Sequence, residues 1–92
     1  MYVILVYDIK SDQGGAKVLS KTFKTCKKYL MHIQNSVLEG EISEAQLLKL
    51  KMELNKVIRE GRDTLIVFKC RNEKWIPKEF WGVDDDKTSN FL

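Results

Sequence analysis

Residues 2–9, YVILVYDI, are apolar at nearly every position, and this run constrains the fold more than any other stretch of the chain. A strand points successive side chains to opposite faces, so a half-buried strand alternates apolar with polar residues. Here Tyr2, Ile4, Val6 and Asp8 share one face and Val3, Leu5, Tyr7 and Ile9 the other, and only Asp8 breaks the apolar pattern. Such a strand belongs inside a sheet that is covered on both sides, by helices on one face and by something else on the other. The 92 residues make one domain with a modest core, so a partner that buries further surface would be welcome.

Past Gly14 and Gly15, which loosen the turn, Leu19, Phe23, Cys26 and Leu30 recur at helical spacing. They predict a helix over about residues 15–29 with that set as its buried face. Lys17, Lys21, Lys24 and Lys28 repeat the spacing two positions earlier. Two residues is about 200° of helical rotation, so the lysines form a stripe opposite the core. Residues 31–42, MHIQNSVLEGEI, read as extended, with Asn35 and Gly40 as turn or bulge points; one bent strand and a hairpin of two short ones both fit. Ser43 and Gln46 then form a capping box, with Ile42 and Leu47 at the positions of a hydrophobic staple. Leu47, Leu50, Leu54, Val57 and Ile58 give this second helix its core face, and Gly61 suits its C-terminal cap. Residues 63–70, DTLIVFKC, are a further apolar strand, and Pro77 confines any later strand to an edge.

Strand, helix, one or two strands, helix and strand, joined by right-handed crossovers, fold most simply as an α+β ferredoxin-like βαββαβ sandwich, a single domain over residues 1–92. Both helices then cover one face of the sheet. A homodimer is the economical cover for the other, because an isologous interface lets one apolar patch meet itself. Residues 75–92, with Phe80, Trp81 and the closing Asn90, Phe91 and Leu92, could add an edge strand to a partner's sheet as an exchanged C-terminal segment.

The net charge of +3 is unevenly placed. Residues 1–40 carry six lysines against Asp8, Asp12 and Glu39, while residues 41–92 balance ten basic against ten acidic side chains. A lysine-rich half of this kind suits a phosphate backbone. Cys26 and Cys70 lie far apart inside apolar patterns and read as reduced core residues rather than a metal site or a disulfide framework. No apolar run reaches the roughly 18 to 20 residues that cross a bilayer, and the N-terminus has strand character without a basic leader, so the expectation is a cytoplasmic protein with no membrane partner. His32 is the single histidine, which argues against a histidine-rich metal site. Asp84, Asp85 and Asp86 are adjacent, and neighbours in an extended chain are expected to point apart, so the run reads as a solvated tail rather than a metal cluster.

VYDI at 6–9, KYLMHIQNSVLEGEIS at 28–43 and the closing TSNFL together resemble the CRISPR-associated protein 2 family, the small partner of the spacer-acquisition integrase. The resemblance spans essentially the whole chain, with Gln34, Ser36, Val37, Glu39 and Gly40 in the family's order. Departures are Lys17 where members often carry arginine, His32 where many have arginine or tryptophan, and Leu38 in place of the usual phenylalanine. Lysine keeps the charge of arginine but loses its planar two-bond grip on phosphate.

The resemblance implies a ferredoxin-like homodimer with strand exchange, a central place in the CRISPR integration complex beside the integrase, and, for some members, metal-dependent cleavage of RNA or DNA. It places Asp8 near the dimer axis, where two copies would share one Mg²⁺ as the catalytic and metal-binding group. Read locally, Asp8 is a strand-end residue that could simply bond the turn. Lys10 and Lys17 are expected as phosphate contacts beside it, with Lys21, Lys24, Lys28 and His32 as further nucleic-acid contacts. Tyr7 is expected to pack rather than to orient Asp8, and Ser36 to supply a nearby hydroxyl. Three functions stay open: a Mg²⁺-dependent endonuclease, a non-catalytic scaffold holding duplex DNA beside the integrase, and a toxin-like ribonuclease of the same fold. An RNA-recognition module is disfavoured, since neither inner strand shows the basic, glycine and aromatic pattern used to stack bases.

Overall fold

The fold follows the expected order, and the undecided stretch resolves into a hairpin. In the computed structural model, which describes residues 1–75 and 77–82, the elements are β1 (Tyr2–Asp8), α1 (Gly15–Lys27), β2 (Met31–Gln34), β3 (Val37–Glu41), α2 (Glu44–Asn55), β4 (Thr64–Cys70) and a short 3₁₀ turn at Glu73–Trp75. The strands make one sheet in the order β2-β3-β1-β4, antiparallel throughout. This is the ferredoxin-like arrangement, with β1 inside the sheet as its two apolar faces require. The exchanged strand expected within residues 75–92 falls mostly outside the described residues.

Val3, Leu5 and Tyr7 of β1 point into the core with Cys26, Leu30, Leu38, Ile42, Leu50 and Leu54. Cys26 is fully buried, and burial pushes its thiol up to about 12, so it stays protonated and acts as a small apolar residue. The capping box of α2 is complete: Gln46 N–H donates to Ser43 Oγ and Ser43 N–H to Gln46 Oε1, each at 3.1 Å. Ile42 and Leu47 both pack on the core, as the staple demands.

Three local expectations are corrected. Leu19 is 44% exposed, and the buried residues of α1 are Gly15, Thr22 and Cys26, so the helix is rolled by part of a turn from the orientation its large apolar residues suggest. Gly15 is buried against the Lys10 carbonyl of the preceding loop. Secondly, α2 closes at Lys56, and Gly61, at φ 77°, serves the turn before β4 instead of capping the helix. Thirdly, Gly40 lies within β3, while the hairpin turns at Asn35 and Ser36, Asn35 adopting φ 36°, with an irregularity in β2 between His32 and Gln34.

The sheet face away from the helices is apolar and open on its β4 side, and partly covered near Tyr2 and Glu39. Ile4 pairs with Phe68 and Val6 with Ile66 across β1 and β4, and Phe68 and Ile66 are 54% and 53% exposed. Met31, beside Glu39 at the β2–β3 pairing, is 70% exposed. Glu39 is buried and ion-paired with Lys78 from the segment after the last strand.

Candidate functional site

Asp8 is the last residue of β1, and strand alternation gives it the same face as Ile4 and Val6, opposite Tyr7. It is exposed, pairs in register with Thr64 and has no side-chain hydrogen bond among the described residues. An oxygen donor with open solvent around it suits a hard divalent cation that keeps most of its waters. Among the described residues no group of three or more histidine, cysteine or acidic side chains could hold a metal.

The loop leaving Asp8 is fixed from the far side of the sequence. Arg59 Nη2 donates to the Lys10 carbonyl at 3.1 Å, and Arg59 Nη1 to Asp12 Oδ1 at 2.6 Å and to the Gln13 carbonyl at 3.3 Å. Asp63, whose side chain is fully buried, accepts from Arg59 Nε and Nη2 at 2.9 Å each and from the Arg59 and Lys10 backbone N–H groups at 2.9 and 3.1 Å. Hydrogen bonding to Arg59 holds the Asp63 carboxyl well below the usual carboxylate range, and Asp63 in turn keeps Arg59 firmly charged. Arg62 reaches Asp12 as well, at 3.3 Å. Two glycines complete the loop. Gly14 takes φ 89°, and a Cβ on Gly15 would lie 2.1 Å from the Lys10 carbonyl oxygen.

Arg59, Asp63 and Asp12 were not singled out by the sequence. The available signal was an acidic residue directly before an apolar strand, four positions after an arginine, but nothing local tied that pair to a loop 49 residues away.

The expected lysines separate into groups. Lys17, Lys21 and Lys24 are exposed on the outer side of α1 and form no ion pair among the described residues. Lys28 is held 2.7 Å from Glu53 of α2, which also accepts from the Tyr29 hydroxyl at 2.6 Å. Both bonds lower the Glu53 pKa, the lysine contributing most. Lys10 is exposed with its backbone in the Arg59 clamp, close in sequence to Asp8. The α1 row starts at the helix end that follows this loop and runs about 16 Å from Lys17 to Lys28, at 1.5 Å per residue.

Tyr7 is buried under the helices, so it packs as expected but on the covered face, away from Asp8. Burial raises its phenol pKa, the Cys26 thiol adds to this, and a hydrogen bond with Ser36 opposes it. Tyr7 N–H also donates to the Ser36 carbonyl at 3.1 Å, which brings the hairpin turn to the Asp8 end of β1. His32 stands edge-on to Phe23 with ring centroids 4.8 Å apart, and its Nε2–H donates to the Asn35 carbonyl at 2.9 Å. The structure thus gathers Tyr7, Asp8, Lys10 and Ser36 at one end of the sheet, while His32 secures the turn.

Residues 1–76 match the family model for CRISPR associated protein Cas2. The chain belongs to the Cas2 family. The CRISPR-associated endoribonuclease Cas2 of Fusobacterium nucleatum is 53% identical over 92 residues, covering all of this chain and 87% of that protein. The CRISPR-associated endonuclease Cas2 of Halalkalibacterium halodurans is 40% identical over 73 residues, 78% of this chain and 76% of that one. The crystal structure of Streptococcus pyogenes Cas2 at pH 6.5 superimposes with a TM-score of 0.80 at 28% identity, over 89% of this chain and 100% of that one. Among the described residues no helix of this Cas2 family member is long and apolar enough to cross a membrane.

Proposed function

We propose that this chain is a nucleic-acid-binding homodimer of the CRISPR adaptation machinery, working beside the integrase, and that it cleaves phosphodiester bonds with Mg²⁺ held by Asp8 of both chains. The observation that carries this is Asp8 itself: an open carboxylate at the rim of a sheet face whose β4 side is left exposed among the described residues, beside Lys10 and Lys17, which form no ion pair among them. Meeting itself across a twofold axis, that face buries Ile4, Val6, Ile66 and Phe68 and brings two copies of Asp8 to one seam. A Mg²⁺ ion there would supply a water of lowered pKa and Lewis acidity toward a phosphoryl oxygen. Lys10 and Lys17 bind and orient the phosphates on either side, the Arg59 clamp keeps the Asp8 loop from drifting, and Tyr7 anchors the end of the strand. The relatives named endoribonuclease and endonuclease support cleavage as the activity.

A second reading, a scaffold that holds duplex DNA for the integrase and cuts nothing, is favoured by the lack of a metal-holding cluster among the described residues and by the length of the lysine row. Sequence-independent binding that weakens steeply with salt is expected of either. One paired assay separates them. Purified protein and Asp8→Asn are incubated with labelled RNA and DNA across Mg²⁺ concentration and pH, and both are tested for spacer acquisition in cells. Mg²⁺-dependent cleavage lost in Asp8→Asn supports the nuclease. Cleavage that persists in the variant points to another site or a contaminant, and no cleavage by either with intact acquisition supports the scaffold.

A further inference from the structure

Leu19 raises a question that neither the core nor the lysine row answers. It lies on a flank of α1 between the two, with Ala16, Ser20 and Phe23, and this flank forms one wall of a groove of about 540 Å³. Tyr7, Asn35 and Ser36 form the other wall. The floor is apolar and partly aromatic, with Leu19 44% exposed. The rim carries the hydroxyls of Ser20 and Ser36 and the amide of Asn35. The Asn35 backbone carbonyl is taken by His32, whereas its side-chain amide has no partner among the described residues. Lys27 continues the flank, its Nζ 5.7 Å from the Phe23 ring centroid, and Lys17 and Lys24 stand on the outer side of the same helix.

We propose that this groove seats one unpaired nucleobase of a bound strand. The proposal rests on the nucleic-acid reading above and adds a site to it. A base is a flat apolar ring with hydrogen-bonding edges, which matches an apolar floor under a rim of hydroxyls and an amide. It arrives on a polyanion, which matches the cationic surround and argues against an acid-free apolar peptide as the occupant. Paired bases in a duplex keep their faces stacked, so only an unpaired base can enter. The backbone carrying it then lies along Lys17, Lys24 and Lys27. Tyr7, on the groove wall, lies at the same end of the sheet as Asp8 but on its helix-covered face, so a strand seated here would have to pass round that end of the sheet to reach the proposed cleavage site.

Leu19→Lys tests this because electrostatics and base seating demand opposite results. Binding is measured by fluorescence anisotropy of a short labelled single-stranded oligoribonucleotide and of a labelled DNA duplex, in EDTA so that nothing is cut. Base seating requires the variant to lose about tenfold in single-strand affinity, the worth of a stacked base, while duplex affinity holds or rises with the added charge. Asn35→Gly, which tolerates the left-handed turn, should weaken the single strand alone, and 2-aminopurine in the strand should be quenched by wild type and not by Leu19→Lys. Single-strand affinity that rises in parallel with duplex affinity, or that is unchanged because the groove takes a protein segment, overturns the proposal. Thermal melting of each variant confirms the fold. If wild type binds and cuts but Leu19→Lys binds like wild type, the seat alone fails; if wild type binds neither probe, the functional reading fails with it.

Discussion

Phe68 offers the sharpest handle on the open face of the sheet, because 54% of its surface is uncovered in the single chain. A phenylalanine side chain presents about 200 Å², which leaves roughly 100 Å² for a partner to bury. At about 25 cal/mol per Å² that is about 2.5 kcal/mol per chain. A twofold interface uses the residue twice, so Phe68→Ala should weaken dimerisation by about 5 kcal/mol, or between three and four orders of magnitude in Kd. Folding of the single chain should hardly respond, since an exposed side chain away from caps and turns contributes within about 0.5 kcal/mol. Leu48→Ala is the control: Leu48 is equally open but sits on the outer side of α2. Sedimentation equilibrium across a concentration series reads both variants. A dimer Kd for Phe68→Ala within tenfold of wild type, or an equal loss from Leu48→Ala, would refute the placement of the seam.

Acid should loosen the Asp8 loop. Arg59 bonding and backbone N–H groups depress the Asp63 pKa below its unfolded value, so its contribution is present in full above about pH 4 and is lost as pH falls toward the folded value. Thermal melting should therefore fall below that pH, and Asp63→Asn should lower the melting temperature at neutral pH while flattening the acid slope; a parallel slope in the variant would assign the effect elsewhere. Gly15→Ala drives a methyl into the Lys10 carbonyl oxygen, so proteolysis between residues 9 and 15 should accelerate in the variant, and an unchanged cleavage rate would contradict the close approach. Ser43→Ala removes the acceptor for the Gln46 N–H and should cost about 1 kcal/mol in chemical denaturation, with the slope unaltered.

What could be read from the sequence was what is local. The Ser43 and Gln46 box and the Ile42 and Leu47 staple specify the start of α2 within six residues, and they form as written. The double-sided apolar run of β1 required an inner strand with two covers; the helices supply one, and among the described residues the β4 side of the other face stays exposed. Periodicity placed α1 but missed its roll, because Gly15 and Thr22, two of its three buried residues, carry no strong hydrophobic signal. The stretch 31–42 stayed open because strands of four and five residues joined through an irregular β2 leave no clean alternation. Asp8 and the lysine stripe were legible as residue types in place. The Arg59 and Asp63 clamp was not, since its partners meet only when the α2–β4 loop folds against the β1–α1 loop. Lys28 likewise looked free until Glu53 of α2 came beside it.

We propose that two Asp8 carboxylates form one metal site across a dimer seam. Isothermal titration of the purified dimer with Mn²⁺ as a Mg²⁺ substitute, alongside Asp8→Asn at matched oligomeric state, tests it most directly. One ion per two chains is expected in wild type, and loss of that binding in Asp8→Asn while the dimer persists. One ion per chain, or binding in Asp8→Asn indistinguishable from wild type, contradicts it.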